Sequence, residues 1–573
     1  MFRMLSFTDR FCKYSCIGFV LSALLITMAP SHAEQSARSS AKIGPYLKNL
    51  TFSKNTLSEE VASSPFVHLR QQNQAQAYIE LEDIDQEVIR QLEEQQVSIE
   101  IVNQDLAMIQ GWVPLQQIDS ISSLAQVKRI RIPSYARQDA GQFTSEGDAI
   151  LRSDQLRATG LLGAGVKVGI ISDGANNWTT ASASGDLPAT ITTYGSCTVQ
   201  QRNVSACLAG KTCNEGTAMA EIVHDLAPQA EIAVAAASTS LEFIQRINQL
   251  ANNFKANIIV DDLKFYAEPF FADGDIAQAV AALPDNIIYI TSAGNAGDFH
   301  YEDQFRPNGG TGAVIHEFSS GVDRMEFIVP AQGYTMPTLQ WNDPFDNPLN
   351  NYDLLIATQT GFVYRTDTAP ATKAKKSLCI PNLTNVDIHY DAIVKRTSGN
   401  TKRIELFFVS SGELGSDGIE FNQASGSVFG HAGIPSVITV GAINAAEPGN
   451  NGIAPYSSRG PSRIDFPSLS VRAKPDLVAI DGVMVSGAGG FPSPFFGTSA
   501  AAPHVAGIAA LLMSSQSRFD AKKVKEALTL GAIDLGPTGH DPSYGFGRVD
   551  AIMAKSFLKP SVVLPPFLIL LDD

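Results

Sequence analysis

Between residues 166 and 291 the sequence alternates short apolar runs with stretches of helical spacing, and this alternation constrains the fold more than any other feature. Four runs resemble buried strands, at Val166–Ile171, Glu231–Ala237, Asn257–Leu263 and Asn286–Thr291. Three helical segments separate them, at Ala218–Leu226, Leu241–Asn253 and Asp275–Ala282. Strands that alternate with helices form parallel sheets. We therefore predict an α/β domain in which helices cover both faces of a parallel sheet.

The alternation stops after about residue 305 and resumes near Gly433. Short β-type runs, separated by Pro, Asn, Asp and Gly, lie between these points at Arg324–Val329, Thr338–Trp341, Tyr352–Ala357, Phe362–Tyr364 and Ile404–Val409. This pattern predicts an inserted all-β module, a sandwich, at residues 310–425. Beyond it we expect another buried strand, a long helix from about Thr498 to Met513 and a shorter helix at residues 521–529.

Residues 76–133 have a different pattern, with predicted elements in the order β-α-β-β-α-β. Alternating residues predict the first strand, and Asp85 is placed to cap the first helix. The order is typical of a ferredoxin-like unit, which we place at residues 76–140. The polar residues 34–75 are expected to be a flexible lead-in.

The amino terminus has the pattern of a secretory signal. Arg3, Arg10 and Lys13 precede an apolar run from Cys16 to Ala29, and small residues lead to Ala33. We predict cleavage after Ala33 and a secreted or periplasmic protein. A membrane anchor is the alternative, but the run has 14 residues and a span needs about 20. The tail at residues 561–573 is apolar and short, and the sequence assigns it no role.

Composition limits the partners and the chemistry. The 573 residues carry a formal net charge of −16, which disfavours a nucleic-acid partner. No stable membrane span is expected after signal removal. Four cysteines remain beyond the signal, at Cys197, Cys207, Cys213 and Cys379. In an exported protein they predict up to two disulfides, with three pairings open. Their spacing fits no zinc-site pattern.

The string from Phe496 to Gly507 carries the most specific signal in the chain. Small residues on both sides of Ser499 let a serine lie at the start of a helix, and alanines behind it allow close packing against the sheet. The partial positive charge at a helix amino terminus favours an alkoxide-like transition state.

This string resembles the active-site serine motif of the subtilisin-like serine peptidases. Other segments resemble motifs of that family in the same order, at Val168–Gly174, Thr291–Asn295, Tyr456–Pro461 and Lys474–Asp476. The resemblance implies that Asp173 is a catalytic acid and that Asn295 donates to the oxyanion, together with the Ser499 backbone N–H. It extends over about residues 150–560 outside the insert, so we assign residues 145–560 to a catalytic domain.

The chain departs from that family at the catalytic base. Where the family has a histidine before Gly-Thr, this sequence has Glu215. A glutamate here resembles the sedolisins, although the position of their aspartate is occupied by Met219. The hypothesis is a hybrid Asp173–Glu215–Ser499 triad that acts in acidic solution. A conventional base at His431 is the alternative, whereas His224 and His504 are expected to be structural.

A second acidic group follows the strand that lines the substrate in the family. Asp262 stands there in place of a serine and precedes Lys264. Asp262 could couple to Glu215, could read a basic substrate residue, or could be a paired structural acid. A disulfide at Cys213 would hold the loop that enters the Glu215 helix.

The resemblance implies a serine endopeptidase that acts on proteins or peptides through an acyl-enzyme. It implies that the ferredoxin-like unit is a propeptide, a foldase and intramolecular inhibitor, with processing between about Ser134 and Ile150. No organic cofactor is implied. Calcium is common in the family, but no ligand loop here is specific enough to name. The rival reading is an inactive binding scaffold whose β insert is an interaction surface.

Overall fold

The computed structural model describes residues 42–43, 47, 69–70, 73–104, 107–131, 143–199, 203–206, 212–309, 314–358, 363–365, 371–411, 419–515 and 520–558. Close contacts divide the chain into two compact units, Met1–Arg137 and Gln138–Asp573. The predicted signal peptide, most of the lead-in and the apolar tail lie outside the described residues. Within the described part, no helix is long and apolar enough to cross a bilayer.

The first unit is an antiparallel sheet with two helices. Its elements are β1 (Leu69–Arg70), β2 (Gln74–Leu81), α1 (Gln86–Glu94), β3 (Ser98–Asn103), β4 (Met108–Pro114), α2 (Ile118–Ser123) and β5 (Val127–Arg131). Strand β2 pairs with β1, β4 and β5, and β4 pairs with β3. The side chain of Asp85 accepts the Val88 N–H at 2.8 Å, which confirms it as the cap of α1. The ferredoxin-like order expected from the sequence is present.

The second unit is built on a seven-stranded parallel sheet. Its strands are β6 (Lys167–Ser172), β7 (Thr192–Tyr194), β8 (Glu231–Ala236), β9 (Ile258–Asp261), β10 (Ile288–Ser292), β20 (Ile438–Asn444) and β23 (Leu477–Asp481). They lie in the order β23-β20-β10-β9-β6-β8-β7, and each neighbouring pair is parallel. The predicted α/β fold class is confirmed.

Helices cover both faces of this sheet. They are α3 (Glu146–Ile150), α4 (Ser153–Arg157), α5 (Trp178–Ala183), α6 (Glu215–Leu226), α7 (Ser240–Gln249), α8 (Asp275–Ala281), α9 (Thr498–Ser514), α10 (Ala521–Leu530) and α11 (Ala551–Phe557). Val260 of β9 packs in the core that contains α6 and α9. Its neighbour Ile259 packs with α7 and α8. Alternate residues of the buried strands therefore face different helix pairs.

Two antiparallel sheets form the insert. One contains β11 (His300–Gln304), β13 (Gly333–Trp341), β16 (Lys375–Ser377), β17 (Ile380–Asn382) and β19 (Arg403–Ser410). The other contains β12 (Met325–Val329), β14 (Asn351–Thr358), β15 (Val363–Arg365) and β18 (Ile388–Ser398). Buried aromatic residues, among them Phe327, Trp341 and Tyr352, lie in one core that includes strands of both sheets. The first strand starts at His300, upstream of the predicted start at residue 310. A separate hairpin joins β21 (Ser462–Ile464) to β22 (Ser470–Arg472).

The parallel sheet places four segments of interest at one edge. Asp173 follows β6, Asp262 follows β9, Asn295 lies just beyond β10 and Asp481 ends β23. Because the carboxyl ends of parallel strands meet at the same edge, ligands of open α/β sheets bind there. The amino termini of α6 and α9 carry Glu215 and Ser499 in their first turns.

Candidate active site

Ser499 lies in the first turn of α9 and is 8% exposed to solvent. The preceding Gly497 has a φ of 102°, a region that favours glycine. The Gly497 N–H donates to Asp481 Oδ2 at 2.7 Å, and the Tyr456 hydroxyl donates to the same carboxyl oxygen. The serine is therefore presented by a turn whose backbone is hydrogen-bonded to the end of β23.

Glu215 is the first residue of α6, which packs against α9. The Ser499 hydroxyl and the Asp262 carboxyl both lie within hydrogen-bonding range of its carboxyl group. Burial raises the pKa of Glu215, and the nearby charge of Asp173 raises it further, while the two hydrogen bonds lower it. Glu215 thus combines contact with the serine hydroxyl and a basicity above that of an ordinary carboxylate.

Asp262 is 9% exposed and accepts the Ser172 hydroxyl at 3.2 Å. Burial, the charge of Glu215 and the hydrogen bond to Glu215 raise the pKa of Asp262 well above its usual range. Two adjacent carboxyl groups that cannot both ionise share a proton. The hydrogen bond between them lowers the pKa of Glu215 and raises that of Asp262, which favours Asp262 as the protonated member and Glu215 as the anion.

Asp173 accepts hydrogen bonds from the backbone at the start of α6. Its Oδ1 accepts the Glu215 N–H at 2.9 Å, and its Oδ2 accepts the Cys213 N–H at 3.0 Å. A carboxylate at this position satisfies donors that a helix amino terminus leaves unpaired. The contact between Asp173 and Glu215 therefore runs through the backbone N–H of Glu215, whereas the sequence hypothesis required the two side chains to meet.

Asn295 is oriented by the residue that precedes the serine. Its Oδ1 accepts the Thr498 N–H at 3.0 Å and the Thr498 hydroxyl at 2.8 Å. Among the described residues, none accepts a hydrogen bond from its NH2 group. A side-chain NH2 group and the first-turn N–H groups of a helix are donors of the kind that bind an oxyanion.

A disulfide holds the loop before α6. Cys197 and Cys213 are bonded, with their Cα atoms 5.6 Å apart. Cys213 is two residues before Glu215, and the next residue, Asn214, accepts the Asn177 N–H at 2.7 Å. The disulfide expected at Cys213 is confirmed, and Cys379 is also disulfide-bonded.

His431 lies on the face of the sheet covered by α7 and α8. Its Nε2 is 3.0 Å from Asp261 Oδ1 and 3.3 Å from the Thr291 hydroxyl, and its ring packs on Phe243. Burial disfavours ionisation of Asp261, but the charge of His431 and their hydrogen bond hold the pKa of that carboxyl below its usual range. These contacts describe a buried, hydrogen-bonded Asp261–His431 pair on the face opposite α9.

The other two histidines weighed from the sequence have structural surroundings. His504 Nδ1 donates to the Ala500 carbonyl at 2.7 Å, and Nε2 lies 2.6 Å from the Ser145 hydroxyl. Burial lowers the pKa of His504 to about 4. Burial also lowers the pKa of His224, farther along α6.

Sequence reasoning did not single out Asp481 and Tyr456 as a pair that holds the serine turn. A signal was present for Asp481, because it ends an apolar run, Leu477–Asp481, in the way that Asp261 ends its own. The tyrosine contact crosses 25 residues of sequence and has no local pattern.

Residues 373–547 match the model of the Subtilase family, a segment that includes Ser499 and covers less than half of the chain. Subtilisin of Bacillus pumilus is 34% identical over 134 residues, which are 23% of this chain and 42% of that protein. Membrane-bound transcription factor site-1 protease of Mus musculus is 36% identical over 137 residues, 23% of this chain and 12% of that protein. These similarities support a subtilisin-like serine peptidase.

Subtilisin-like protease SBT6.1 of Arabidopsis thaliana is 34% identical over 154 residues, 26% of this chain and 14% of that protein. The chain thus spans less than half of the length of each of these relatives. A solved structure of the Clostridium perfringens CspB protease aligns with a TM-score of 0.49 and 16% identity, covering 71% of this chain and 98% of that one.

Proposed function

We propose that the protein is a serine endopeptidase in which Ser499 is the nucleophile and Glu215 is the general base. The observation that carries this proposal is the Glu215 carboxyl within hydrogen-bonding range of the Ser499 hydroxyl. An activated serine requires a base within hydrogen-bond reach. In the same site the Asn295 amide, which is oriented by Thr498, provides the NH2 group that donates to the oxyanion.

In the first step Glu215 accepts the Ser499 proton while the serine oxygen attacks the peptide carbonyl carbon. The oxyanion that forms is bound by the Asn295 NH2 and the Ser499 backbone N–H. Glu215 then gives the proton to the leaving amine, and the carbon–nitrogen bond breaks. Water repeats the sequence on the acyl-enzyme: Glu215 takes its proton, the acid product leaves, and the proton returns to Ser499.

We assign Asp262, rather than Asp173, as the proton-sharing partner of Glu215. From the sequence alone, Asp173 was the expected proton-sharing partner of Glu215. The contacts favour Asp262, since its carboxyl is hydrogen-bonded to that of Glu215, whereas Asp173 accepts the backbone N–H groups at the start of α6. Asp173 is therefore a positioning residue whose charge also increases the basicity of Glu215.

This arrangement predicts activity in acidic solution with two limits. Glu215 must be ionised to accept a proton, so the rate rises with pH through its raised pKa, above the usual 4.5. Asp262 must keep its proton to donate to Glu215, so the rate falls as pH passes the pKa of Asp262, which lies well above the usual 3.8. The two limits produce a bell-shaped profile.

Labelling with a fluorophosphonate probe between pH 3 and pH 8 tests the proposed chemistry. The wild-type protein should label, and Ser499→Ala should not. Glu215→Gln should label at least about 100-fold more slowly, since a general base typically contributes that much. Absence of labelling at every pH would instead favour the inactive scaffold.

The same measurement separates the two candidate bases. His431 is paired with Asp261 on the far face of the sheet, so His431→Ala should retain labelling of Ser499. Abolished labelling in a folded His431→Ala protein, with full labelling of Glu215→Gln, would reverse the assignment.

We further propose that the protein is exported and made as a zymogen. The amino-terminal signal pattern supports export, and the separately compact first unit supports a removable inhibitory domain. Wild-type protein expressed with residues 34–573 should be cleaved between residues 134 and 150, and Ser499→Ala should remain whole. Equal cleavage of both proteins would show that Ser499 does not perform the processing.

A further inference from the structure

Lys264 lies beside the proposed oxyanion site, two residues beyond Asp262. Its Nζ donates to the Ser292 carbonyl at 2.5 Å and to the Thr291 hydroxyl at 3.4 Å. A Cβ built on Gly294 would lie 3.3 Å from Lys264 Cε. Because β9 and β10 pair in parallel, the segments that leave them run side by side past Asn295.

Geometry places the substrate side chain near this segment. The oxyanion derives from the carbonyl of the residue on the amino-terminal side of the cleaved bond. The Cβ of that residue is only two bonds, or about 2.5 Å, from the carbonyl carbon. A side chain that starts so close to Asn295 meets groups next to Gly294, and Lys264 is the charged group found there.

The ammonium group of Lys264 has donor capacity to spare. It has three N–H donors, and among the described residues it donates to two neutral oxygens. A substrate carboxylate would be a stronger acceptor than either, because charge-assisted hydrogen bonds are about twice as strong as neutral ones. The flexible four-carbon stem allows the ammonium to turn toward such a group.

Among the described residues, no carboxylate accepts a hydrogen bond from the ammonium group of Lys264. Burial lowers the pKa of Lys264 to about 8, with the charges of Asp261 and Asp262 opposing this, so it is protonated in acidic solution. Asp261 is paired with His431, and Asp262 holds the proton that it shares with Glu215. Glu268 lines a cavity together with Lys264. Burial raises the pKa of Glu268, which favours its neutral form in acid.

We propose that Lys264 selects an acidic side chain, Asp or Glu, at the residue on the amino-terminal side of the cleaved bond. This inference rests on the proposed peptidase function and assigns its substrate class. It excludes the earlier alternative in which Asp262 reads a basic substrate residue, because the Asp262 carboxyl is engaged with Glu215.

Matched peptides test the selectivity directly. Two fluorogenic peptides that differ only by Glu or Gln before the cleaved bond, at pH 5 to 6, should differ in kcat/KM by about tenfold or more, as hydrogen bonds to charged groups allow. Lys264→Met should bring the ratio to about one, and Lys264→Glu should favour a Lys peptide over the Glu peptide. Lys167→Met removes a lysine at the opposite end of β6 and should keep the wild-type ratio.

The outcomes are distinguishable. Equal cleavage of the Glu and Gln peptides by the wild-type protein would overturn the role of Lys264 and leave the peptidase proposal standing. Failure to cleave any peptide, with no labelling of Ser499, would overturn both. If the Lys264 variants fail to fold, the wild-type ratio still decides, because the two substrates are isosteric and differ by one charge.

Discussion

In the proposed mechanism the carboxyl group at position 215 accepts the proton of Ser499, a transfer for which imidazole has the higher proton affinity. The ordinary pKa of Glu is about 4.3 and that of His about 6.5, a difference worth about 3 kcal/mol of driving force. Burial and the charge of Asp173 raise the pKa of Glu215 and recover part of that difference. In the proposed mechanism, Asp262 is a neutral acid that orients the carboxylate without adding a second negative charge.

Two variants of Asp262 distinguish the effect of its titratable proton on catalysis from the effect of its hydrogen bond to Glu215. Asp262→Ala removes the donor to Glu215 and should lower kcat by about 10- to 100-fold, the range for a hydrogen bond to a charged group. Asp262→Asn keeps a donor that does not titrate, so kcat should fall less and the alkaline decline of the pH profile should disappear. The measurement is kcat against pH for both variants.

Asp261→Asn is the matched control, since this carboxyl pairs with His431 on the other face of the sheet. It should keep the alkaline decline. A decline that persists unchanged in Asp262→Asn would contradict the assignment of that limb to Asp262.

The sequence placed Asp173, Glu215, Asn295 and Ser499 together because motif order and parallel strand ends bring them to one edge. It left the part of Asp262 open. Asp261 and Asp262 are neighbours at the end of a strand, so their carboxyl groups lie on opposite faces of the sheet. Only the packing of the helices shows which of these faces carries the serine helix. The contact between Thr498 and Asn295, which are 203 residues apart in the sequence, also depends on that packing.

At the scale of single elements, a disulfide and two hydrogen bonds hold the start of α6 in place. The Cys197–Cys213 disulfide closes the loop just before α6, and Asp173 accepts the backbone N–H groups of Cys213 and Glu215. These contacts keep the Glu215 carboxyl in hydrogen-bonding range of the Ser499 hydroxyl. A more mobile loop should therefore reduce catalysis as well as stability.

Replacing both cysteines tests this constraint. A disulfide with a sequence separation of 16 contributes about 3 kcal/mol in the chain-entropy model. Cys197→Ser with Cys213→Ser should lower Tm and reduce kcat even well below the melting temperature. Asp520→Ala removes the cap of α10 and should cost about 1 kcal/mol with unchanged kcat. If the double cysteine variant has a lower Tm but an unchanged kcat, the disulfide does not position Glu215.

Elements were predictable where periodicity is strong. The α9 helix starts at Thr498 as expected and α8 lies within its expected segment, whereas α6 starts at Glu215, before the expected Ala218. The strand β11 was missed because His300–Gln304 is mostly polar and pairs with β19, about a hundred residues later. The edge strand β7, with three residues, is too short for any period to show.

For the molecule as a whole, buried titratable groups set the pH range of stability. Burial raises the pKa of carboxyls including Glu221, Asp225, Glu405 and Asp481. Such groups stabilise the fold at low pH and cost stability as pH rises. Buried histidines act in the opposite sense: burial lowers the pKa of His316 to about 3, so protonation below about 6.5 favours the unfolded chain.

These opposed effects predict a maximum of Tm at mildly acidic pH, with a fall on both sides. Burial raises the pKa of Glu221 to about 7, which corresponds to about 3 kcal/mol lost as pH rises from about 4.5 past 7. Glu221→Gln should therefore flatten the alkaline side of a plot of Tm against pH. A Tm that rises steadily from pH 5 to pH 9 would contradict the prediction.

The most direct measurement of the central claim compares the pH profiles of kcat/KM for wild-type protein and Glu215→His. If Glu215 is the base, the wild-type profile peaks in acid, and the histidine variant moves the rising limb upward by up to about two pH units, following the difference between the two side chains. A wild-type optimum above neutrality, or a rising limb that stays in place when the base is changed, would contradict the account.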